Sequence, residues 1–155
     1  MSEEDLTFPD PGEFPPDPEE LEEQFCEQAA ENDKRYPKDA FLYVASTLRR
    51  LLNEREKAPA KAGEDSHVTG QQLTLYLRDS LIREFAFLAP EVLSAWRITE
   101  TMDFGNIIYD LVEVGLLSTS ANDSRADFLN VFRIPRGLEL EQEDPKIRKW
   151  PVVHP

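Results

Sequence analysis

The segment from residue 39 to residue 56, DAFLYVASTLRRLLNERE, carries apolar residues at the three- and four-residue spacing of one helix face. The stripe consists of Phe41, Val44, Ala45, Leu48, Leu51 and Leu52. Such a stripe has to be buried against other elements, whereas the arginines of this segment fall mostly outside it. The pattern therefore predicts an amphipathic helix in a packed, mainly helical domain.

Other segments carry helix signals as well. At Asp17-Pro18-Glu19-Glu20 an aspartate can cap a helix, a proline suits the first turn, and carboxylates face the positive end of the helix dipole. Helical spacing continues over residues 69–88, 90–96 and 101–115. Because glycine tolerates a positive φ, Gly115 is a suitable C-terminal cap for the last of these helices.

The sequence after Gly115 suggests strands. LLSTS can form a strand, and ANDSRAD is rich in turn formers. As a strand, FLNVFRI would place on one side Phe128, Asn130, Phe132 and Ile134, and on the other Leu129, Val131 and Arg133. We therefore expect a fold that is mainly α with a small C-terminal antiparallel β-ribbon, running from about Leu116 to Ile134. Helices followed by such a ribbon are the element order of winged-helix domains.

Charge is distributed very unevenly along the 155 residues. The net charge is −14, but residues 1–33 hold 13 carboxylates and no Lys or Arg, which leaves 18 acidic and 17 basic side chains in the rest. The body is thus nearly neutral, and only the front is strongly anionic. We predict an acidic, proline-rich flexible tail at residues 1–17, a single helical domain at 18–134, and an extended C-terminal segment at 135–155.

Composition also bears on the cellular compartment. Cys26 is the only cysteine, so no intrachain disulfide can form, and no apolar run approaches the roughly 18 residues of a membrane span. The acidic, proline-rich amino terminus is the opposite of a secretory signal. These features predict a cytoplasmic protein without a membrane association.

Catalytic and metal-binding motifs are scarce. Asp103-Phe104-Gly105 matches the magnesium-binding triplet of protein kinases, but the chain is too short for a kinase and lacks the other kinase motifs, so we interpret it as chance. His67 and His154 are the only histidines, and neither forms a metal-ligand pattern with Cys26. We expect no cofactor and no metal, and more generally a protein that is not an enzyme.

Four blocks carry a resemblance to a known family. DKRYPKDAFLYV, HVTGQQL, DFGNIIYDLVEVGLL and DSRADF resemble, in the same order, the blocks of an uncharacterised bacterial protein family of about this size. The match covers roughly residues 20–130. The resemblance implies a shared fold and a bacterial source, without a mechanism. It selects as candidate interaction residues Arg35, Tyr36, His67, Gln71, Asp103, Phe104, Asp123, Asp127 and Phe128.

Two further residues join these candidates. Arg125 lies between Asp123 and Asp127, a spacing that predicts a local network of charges and hydrogen bonds. Trp150, near the end of the chain, either packs on the core or serves as an anchor for a partner.

The leading hypothesis for function is a protein-protein interaction or adaptor domain. The alternative is a nucleic-acid-associated factor whose acidic tail competes with phosphate for basic side chains: Arg125, Arg133, Arg136, Lys146, Arg148 and Lys149. Against it, the helix before the predicted ribbon offers only Asn106 as a base reader and has no basic residue. A third hypothesis is an enzyme with a pocket around His67 and Asp103. The oligomeric state is left open.

Overall fold

The structure, a computed structural model, describes residues 17–57, 68–119 and 123–138. In these ranges the chain forms five α-helices: α1 (Pro18–Asn32), α2 (Lys38–Lys57), α3 (Gly70–Phe85), α4 (Ala89–Ala95) and α5 (Thr101–Glu113). Short 3-10 turns lie at Ala86–Leu88, Arg125–Phe128 and Arg136–Leu138. The helices predicted from apolar spacing are confirmed, with α3 ending three residues early.

Side-chain caps fix where the helices begin. The Asp17 carboxylate accepts from the backbone amide of Glu20 at 2.8 Å, and Pro18 is the first residue of α1. At α3, the Thr69 hydroxyl accepts from the Gln72 amide at 3.1 Å, and the Gln72 side chain accepts from the Thr69 amide at 3.0 Å. Both caps satisfy amides that a helix leaves unpaired at its first turn.

Gly115 ends α5 as predicted. Its φ of +95° lies in the left-handed region. In this conformation the Leu116 amide reaches back to the Leu111 carbonyl and the Gly115 amide to the Val112 carbonyl, both at 3.0 Å. These two bonds define a Schellman motif, which turns the chain sharply away from the helix axis.

The core forms where α1, α2 and α5 pack together, with α3 against α2 and α4 against α3. Its fully buried side chains include Phe41, Phe104, Leu77, Leu81, Leu93, Ile107 and Leu111. Cys26 on α1 is also fully buried, and burial raises the pKa of its thiol to about 12. The single cysteine is therefore a small core side chain.

Phe128 packs where α3, α5 and the turn Arg125–Phe128 meet. A Cβ atom added at Gly105 would lie 2.8 Å from its ring, and one added at Gly70 would lie 2.9 Å from it. Real Cβ atoms do not approach other atoms this closely. Phe128 therefore occupies a slot that exists because two helices carry glycine at the contact.

The predicted antiparallel β-ribbon from Leu116 to Ile134 is wrong. Residues 116–119 and 123–134, which the structure describes, contain no strand. Ser124 and Asp127 form a capping box that starts a 3-10 turn, and Asn130 has a φ of +51°, which interrupts an extended backbone. Without this ribbon, the described residues do not have the element order of a winged-helix domain.

A hydroxyl on α5 explains why this stretch does not pair as a strand. The Thr101 hydroxyl donates to the Phe128 carbonyl at 2.6 Å and accepts from the Val131 amide at 3.1 Å. Two backbone groups that a ribbon would use are thus satisfied by the first residue of α5. Tertiary contacts override the strand pattern of FLNVFRI.

Some predicted features lie outside the described residues, namely residues 1–16 of the acidic tail, His67, and the segment from residue 139 onward that includes Trp150. Leu138, where the described chain ends, is fully buried. None of the helices in the described ranges combines the length and apolar content that crossing a lipid bilayer requires.

Replacing Gly105 with alanine tests the Phe128 slot. Alanine normally stabilises a helix interior by about 1 kcal/mol relative to glycine. Here we expect the opposite sign, a decrease in the free energy of unfolding of about 1–3 kcal/mol, because the new methyl group overlaps the ring. Chemical denaturation measures this change in the free energy of unfolding. Asn53→Ala, on an exposed part of α2, should change the stability by less than about 0.5 kcal/mol. A Gly105→Ala variant that is more stable than the native protein would contradict the prediction that Phe128 leaves no room for a methyl group at this position.

Candidate functional site

Tyr36, in the loop between α1 and α2, is the centre of a polar network on α5. It is 3% exposed. Its hydroxyl donates to Oδ1 of Asp103 and accepts from Nδ2 of Asn106 at 3.0 Å. Burial, and then the bond to Asp103, raises the pKa of Tyr36, so the hydroxyl stays a donor at neutral pH. One side chain thus connects the α1–α2 loop to α5.

Asp103 also has a capping role. Its Oδ2 accepts from the backbone amides of Thr99 at 2.8 Å and Glu100 at 3.2 Å, at the start of α5. Phe104 is fully buried in the core, and Gly105 contacts Phe128. The triplet Asp103-Phe104-Gly105 therefore has a structural explanation in each of its three positions.

Arg35 and Arg125 flank the network. The Arg35 guanidinium lies 5.3 Å from the centre of the Tyr36 ring and binds Asp33 through two nitrogens, at 2.9 and 2.8 Å. Arg125 donates to Oδ1 of Asn106 at 3.5 Å, the long limit of a hydrogen bond, and lies 4.4 Å from the centre of the Tyr109 ring. Through Arg125 the network reaches Tyr109, which lines a cavity.

This cavity, called here the α3–α5 cavity, has a volume of about 410 Å³. Its walls come from the second half of α2, the start of α3, the end of α5 and residues 116–119 and 123–128. The apolar lining consists of Leu48, Leu52, Val68, Leu73, Ile108, Leu116, Leu117 and Phe128. The polar lining consists of Thr69, Tyr109, Ser118, Thr119, Asp123, Ser124 and Asp127. The cavity is therefore amphipathic, and its charged groups are carboxylates.

Several of these polar groups already serve as caps. Oδ2 of Asp127 accepts from the Ser124 amide at 3.3 Å, and the Ser124 hydroxyl accepts from the Ala126 amide at 3.1 Å. The Thr69 hydroxyl caps α3. Burial, and then the negative charge of Asp123, raises the pKa of Tyr109, while Arg125 opposes this. The hydroxyls of Thr69 and Ser124 cap local backbone amides, and Asp123 and Asp127 are the charged groups of the lining.

A pair of carboxyl groups joins the end of α1 to α5. The Asp33 side chain is 10% exposed, and Oδ2 of Asp110 is buried. Burial, and then the interaction with Asp33, raises the pKa of Asp110 to about 7. The guanidinium of Arg35 lowers the pKa of Asp33. Because the pKa of Asp110 is raised and that of Asp33 is lowered, a proton bound by the pair resides on Asp110.

The structure brings together part of the predicted set. Tyr36 and Asp103 are in direct contact, and Arg35 and Arg125 flank them. Asp123, Asp127 and Phe128 line the α3–α5 cavity. Gln71 is exposed on the first turn of α3 and does not line it. His67 and Trp150 are outside the described residues.

The predicted interaction residues do not include Asp33, Tyr109 or Asp110. The sequence suggests Asn106 only as a candidate reader of DNA bases. Three of the polar residues on α5, at positions 103, 106 and 110, are spaced three and four residues apart and so share one helix face. That spacing is a readable signal for a polar face. Nothing in the sequence indicates that Asp33, far away in the chain, faces it.

The described residues contain no group of three or more His, Cys, Asp or Glu side chains arranged to hold a metal ion. No family model, curated protein or solved structure matches this chain. The resemblance to an uncharacterised bacterial family stays a prediction from the sequence blocks.

Replacing Tyr36 with phenylalanine removes the hydroxyl at the centre of the network. Asp103 then loses a donor and Asn106 an acceptor, so we expect the free energy of unfolding to fall by about 1–3 kcal/mol. Tyr76→Phe is the matched control, because the Tyr76 hydroxyl donates to Glu54 at an exposed position. The Tyr76→Phe control should lower the free energy of unfolding by less than about 0.5 kcal/mol. Equal losses in the two variants would argue against a buried network.

Replacing Asp110 with asparagine tests the carboxyl pair. With a pKa of about 7 in the folded state against about 3.9 unfolded, Asp110 binds more protons when folded, so its contribution to stability falls as pH rises between these values. Asp33, whose pKa is lowered, is ionised throughout that window. Asparagine donates to Asp33 without titrating. We therefore expect the variant to lose this decline and to be more stable than the native protein at pH 8.

Urea denaturation from pH 4.5 to pH 8 measures the difference between the two proteins. Asp79→Asn, at an exposed carboxylate on α3, is the control and should leave the pH dependence unchanged. A difference between Asp110→Asn and native protein that is constant with pH would show that no proton is held by the pair.

Proposed function

We propose that this chain is a non-catalytic protein-interaction domain. Its α3–α5 cavity receives a segment of a partner protein in which an apolar side chain lies next to a lysine or arginine. The observation that carries the proposal is the composition of the cavity, an apolar interior whose charged groups are Asp123 and Asp127. Apolar pockets with a few placed polar groups are the usual form of a recognition site.

The surface beside the cavity favours a protein segment as the ligand. Leu52 lines the cavity and is 40% exposed. Apolar surface thus continues from the interior onto the rim, where an extended partner would cover it and a small molecule held inside would not. An apolar anchor in a pocket, surrounded by a polar rim, is the arrangement that gives protein interfaces most of their affinity.

The geometry supports the other two hypotheses less well. Phosphates would meet carboxylates at the cavity, and α5 has no Lys or Arg to bind them. A catalytic site around Asp103 would need that carboxylate to be accessible, yet it accepts from two backbone amides and from Tyr36. The protein-interaction proposal uses the cavity without displacing any of these bonds.

Site-specific photo-crosslinking in a native lysate tests the proposal. A benzophenone amino acid is placed at Leu52, on the cavity rim, or at Leu75 on α3, which does not line the cavity and is 39% exposed. We expect a discrete crosslinked partner from position 52 and none from position 75, since the two sites are equally accessible. A crosslink from position 52 does not by itself show that the partner enters the cavity. A second experiment therefore fills the cavity with a large side chain.

Ser118→Trp places a large side chain at the cavity wall, and Ser94→Trp places the same side chain at an exposed position of α4. The first should lower the crosslink yield from position 52 by about tenfold or more, equivalent to about 1.4 kcal/mol, and the second should not. Unchanged melting temperatures verify the fold. Yields that are equal at positions 52 and 75, or insensitive to Ser118→Trp, would overturn the proposal.

A further inference from the structure

A second concave surface lies between α1 and α2, on a different part of the domain from the α3–α5 cavity. This groove, called here the α1–α2 groove, has a volume of about 470 Å³ and shares no lining residue with the cavity. Carboxylates line one part of it: Glu19, Glu22, Glu23 and Asp39. Their only cationic companion in the lining is Arg49.

The cations at this groove do not neutralise it. Arg49 binds Glu22 at 3.2 Å, and Lys38, just outside the lining, binds Glu23 at 2.8 Å. Glu19 and Asp39 have no ion pair among the described residues, so the groove keeps negative charge. A cationic occupant would therefore be attracted to it.

Aromatic side chains line the other part of the groove. The rings of Tyr43 and Trp96 lie 5.3 Å apart between centroids, and the Trp96 ring also contacts Phe85 at 6.5 Å. Trp96 is only half-buried by these contacts. With Leu42 beside it, this part of the groove offers an apolar surface of the kind on which another aromatic ring packs.

The chain itself contains a segment with the complementary chemistry. Residues 146–153, KIRKWPVV, lie outside the described residues and place three cations within four positions, directly before Trp150. The segment combines the charge that the groove lacks with an aromatic anchor for its apolar part.

A short stretch of chain connects this segment to the domain. Leu138, which is fully buried, fixes the point from which the C-terminal residues start. Eight residues from there to Lys146 span up to about 28 Å when extended, against a radius of gyration of about 13–14 Å for a domain of this size. A tether of this length also gives a high effective concentration, which favours even a weak contact within one chain.

We propose that residues 146–153 of this chain dock in its own α1–α2 groove. Lys146, Arg148 and Lys149 face the carboxylates of the groove, and Trp150 packs against Trp96. The docked segment occupies a surface that a basic, aromatic segment of another protein would otherwise fit. This inference does not depend on the function proposed for the α3–α5 cavity.

Fluorine NMR of the full-length protein labelled with 5-fluorotryptophan tests the docking. The chain has two tryptophans, so Trp150→Phe assigns both signals. We expect the Trp150 signal to be shielded from solvent in the native protein, as measured by its solvent-isotope shift. Sodium chloride at high concentration should release it, because the contact depends on exposed charges.

Charge reversal in the groove provides the decisive comparison. Glu19→Lys combined with Asp39→Lys should lower the ratio of docked to free Trp150 by roughly tenfold. The matched control reverses two exposed helical carboxylates elsewhere, Glu56→Lys and Glu91→Lys, and should leave the ratio unchanged. If the groove variant does not fold, the salt titration of the native protein still decides between release and no release.

Three results would overturn the proposal. Trp150 could be as solvent-accessible in the native protein as in the groove variant. Its shielding could disappear on deletion of residues 1–16, which would make the acidic tail the binding partner of the basic segment. Its shielding could increase with protein concentration, which would place the segment on a second copy of the chain.

Discussion

The contact of Phe128 with Gly70 and Gly105 is the constraint on which the rest of the domain depends. It joins three segments that are far apart in the sequence, the start of α3, the first half of α5 and the turn Arg125–Phe128. Because the Thr101 hydroxyl also holds the Phe128 carbonyl, the turn has one position relative to α5. Gly70 and Phe128 also line the α3–α5 cavity, so this contact forms part of the cavity wall. Three of the four sequence blocks quoted above, HVTGQQL, DFGNIIYDLVEVGLL and DSRADF, meet here.

The net charge conceals how the domain arranges its ionic groups. By count the body of the protein is nearly neutral, yet the charged groups of the α3–α5 cavity are two carboxylates, and those of the α1–α2 groove are four carboxylates and one arginine. Three cations bind carboxylates of a neighbouring helix, namely Lys38 with Glu23, Arg49 with Glu22 and Arg50 with Glu84. Such surface pairs add little stability individually. The linings of the α3–α5 cavity and the α1–α2 groove thus keep a net negative charge.

Helices were predictable from the sequence because their signals are local. Apolar spacing, the Asp17 and Thr69 caps and the glycine after α5 each act within a few residues. The ribbon was not predictable, since FLNVFRI alternates like a strand and only the tertiary bonds of Thr101 and the positive φ of Asn130 prevent pairing. The same distinction holds for the site. The polar face of α5 was visible in the spacing, whereas Tyr36 and Asp33, which complete it, approach from 67 or more residues away.

Burial of Cys26 has a practical consequence for the study of this protein. A thiol with a pKa of about 12 has almost no thiolate at neutral pH, and thiolate is the form that alkylating reagents and disulfides require. A cysteine introduced at an exposed position such as Ser118, or at Ser46 in the α1–α2 groove, would be the reactive thiol of the folded chain. Dyes and spin labels can therefore be attached selectively at the α3–α5 cavity or at the α1–α2 groove, while Cys26 is left unchanged in the core.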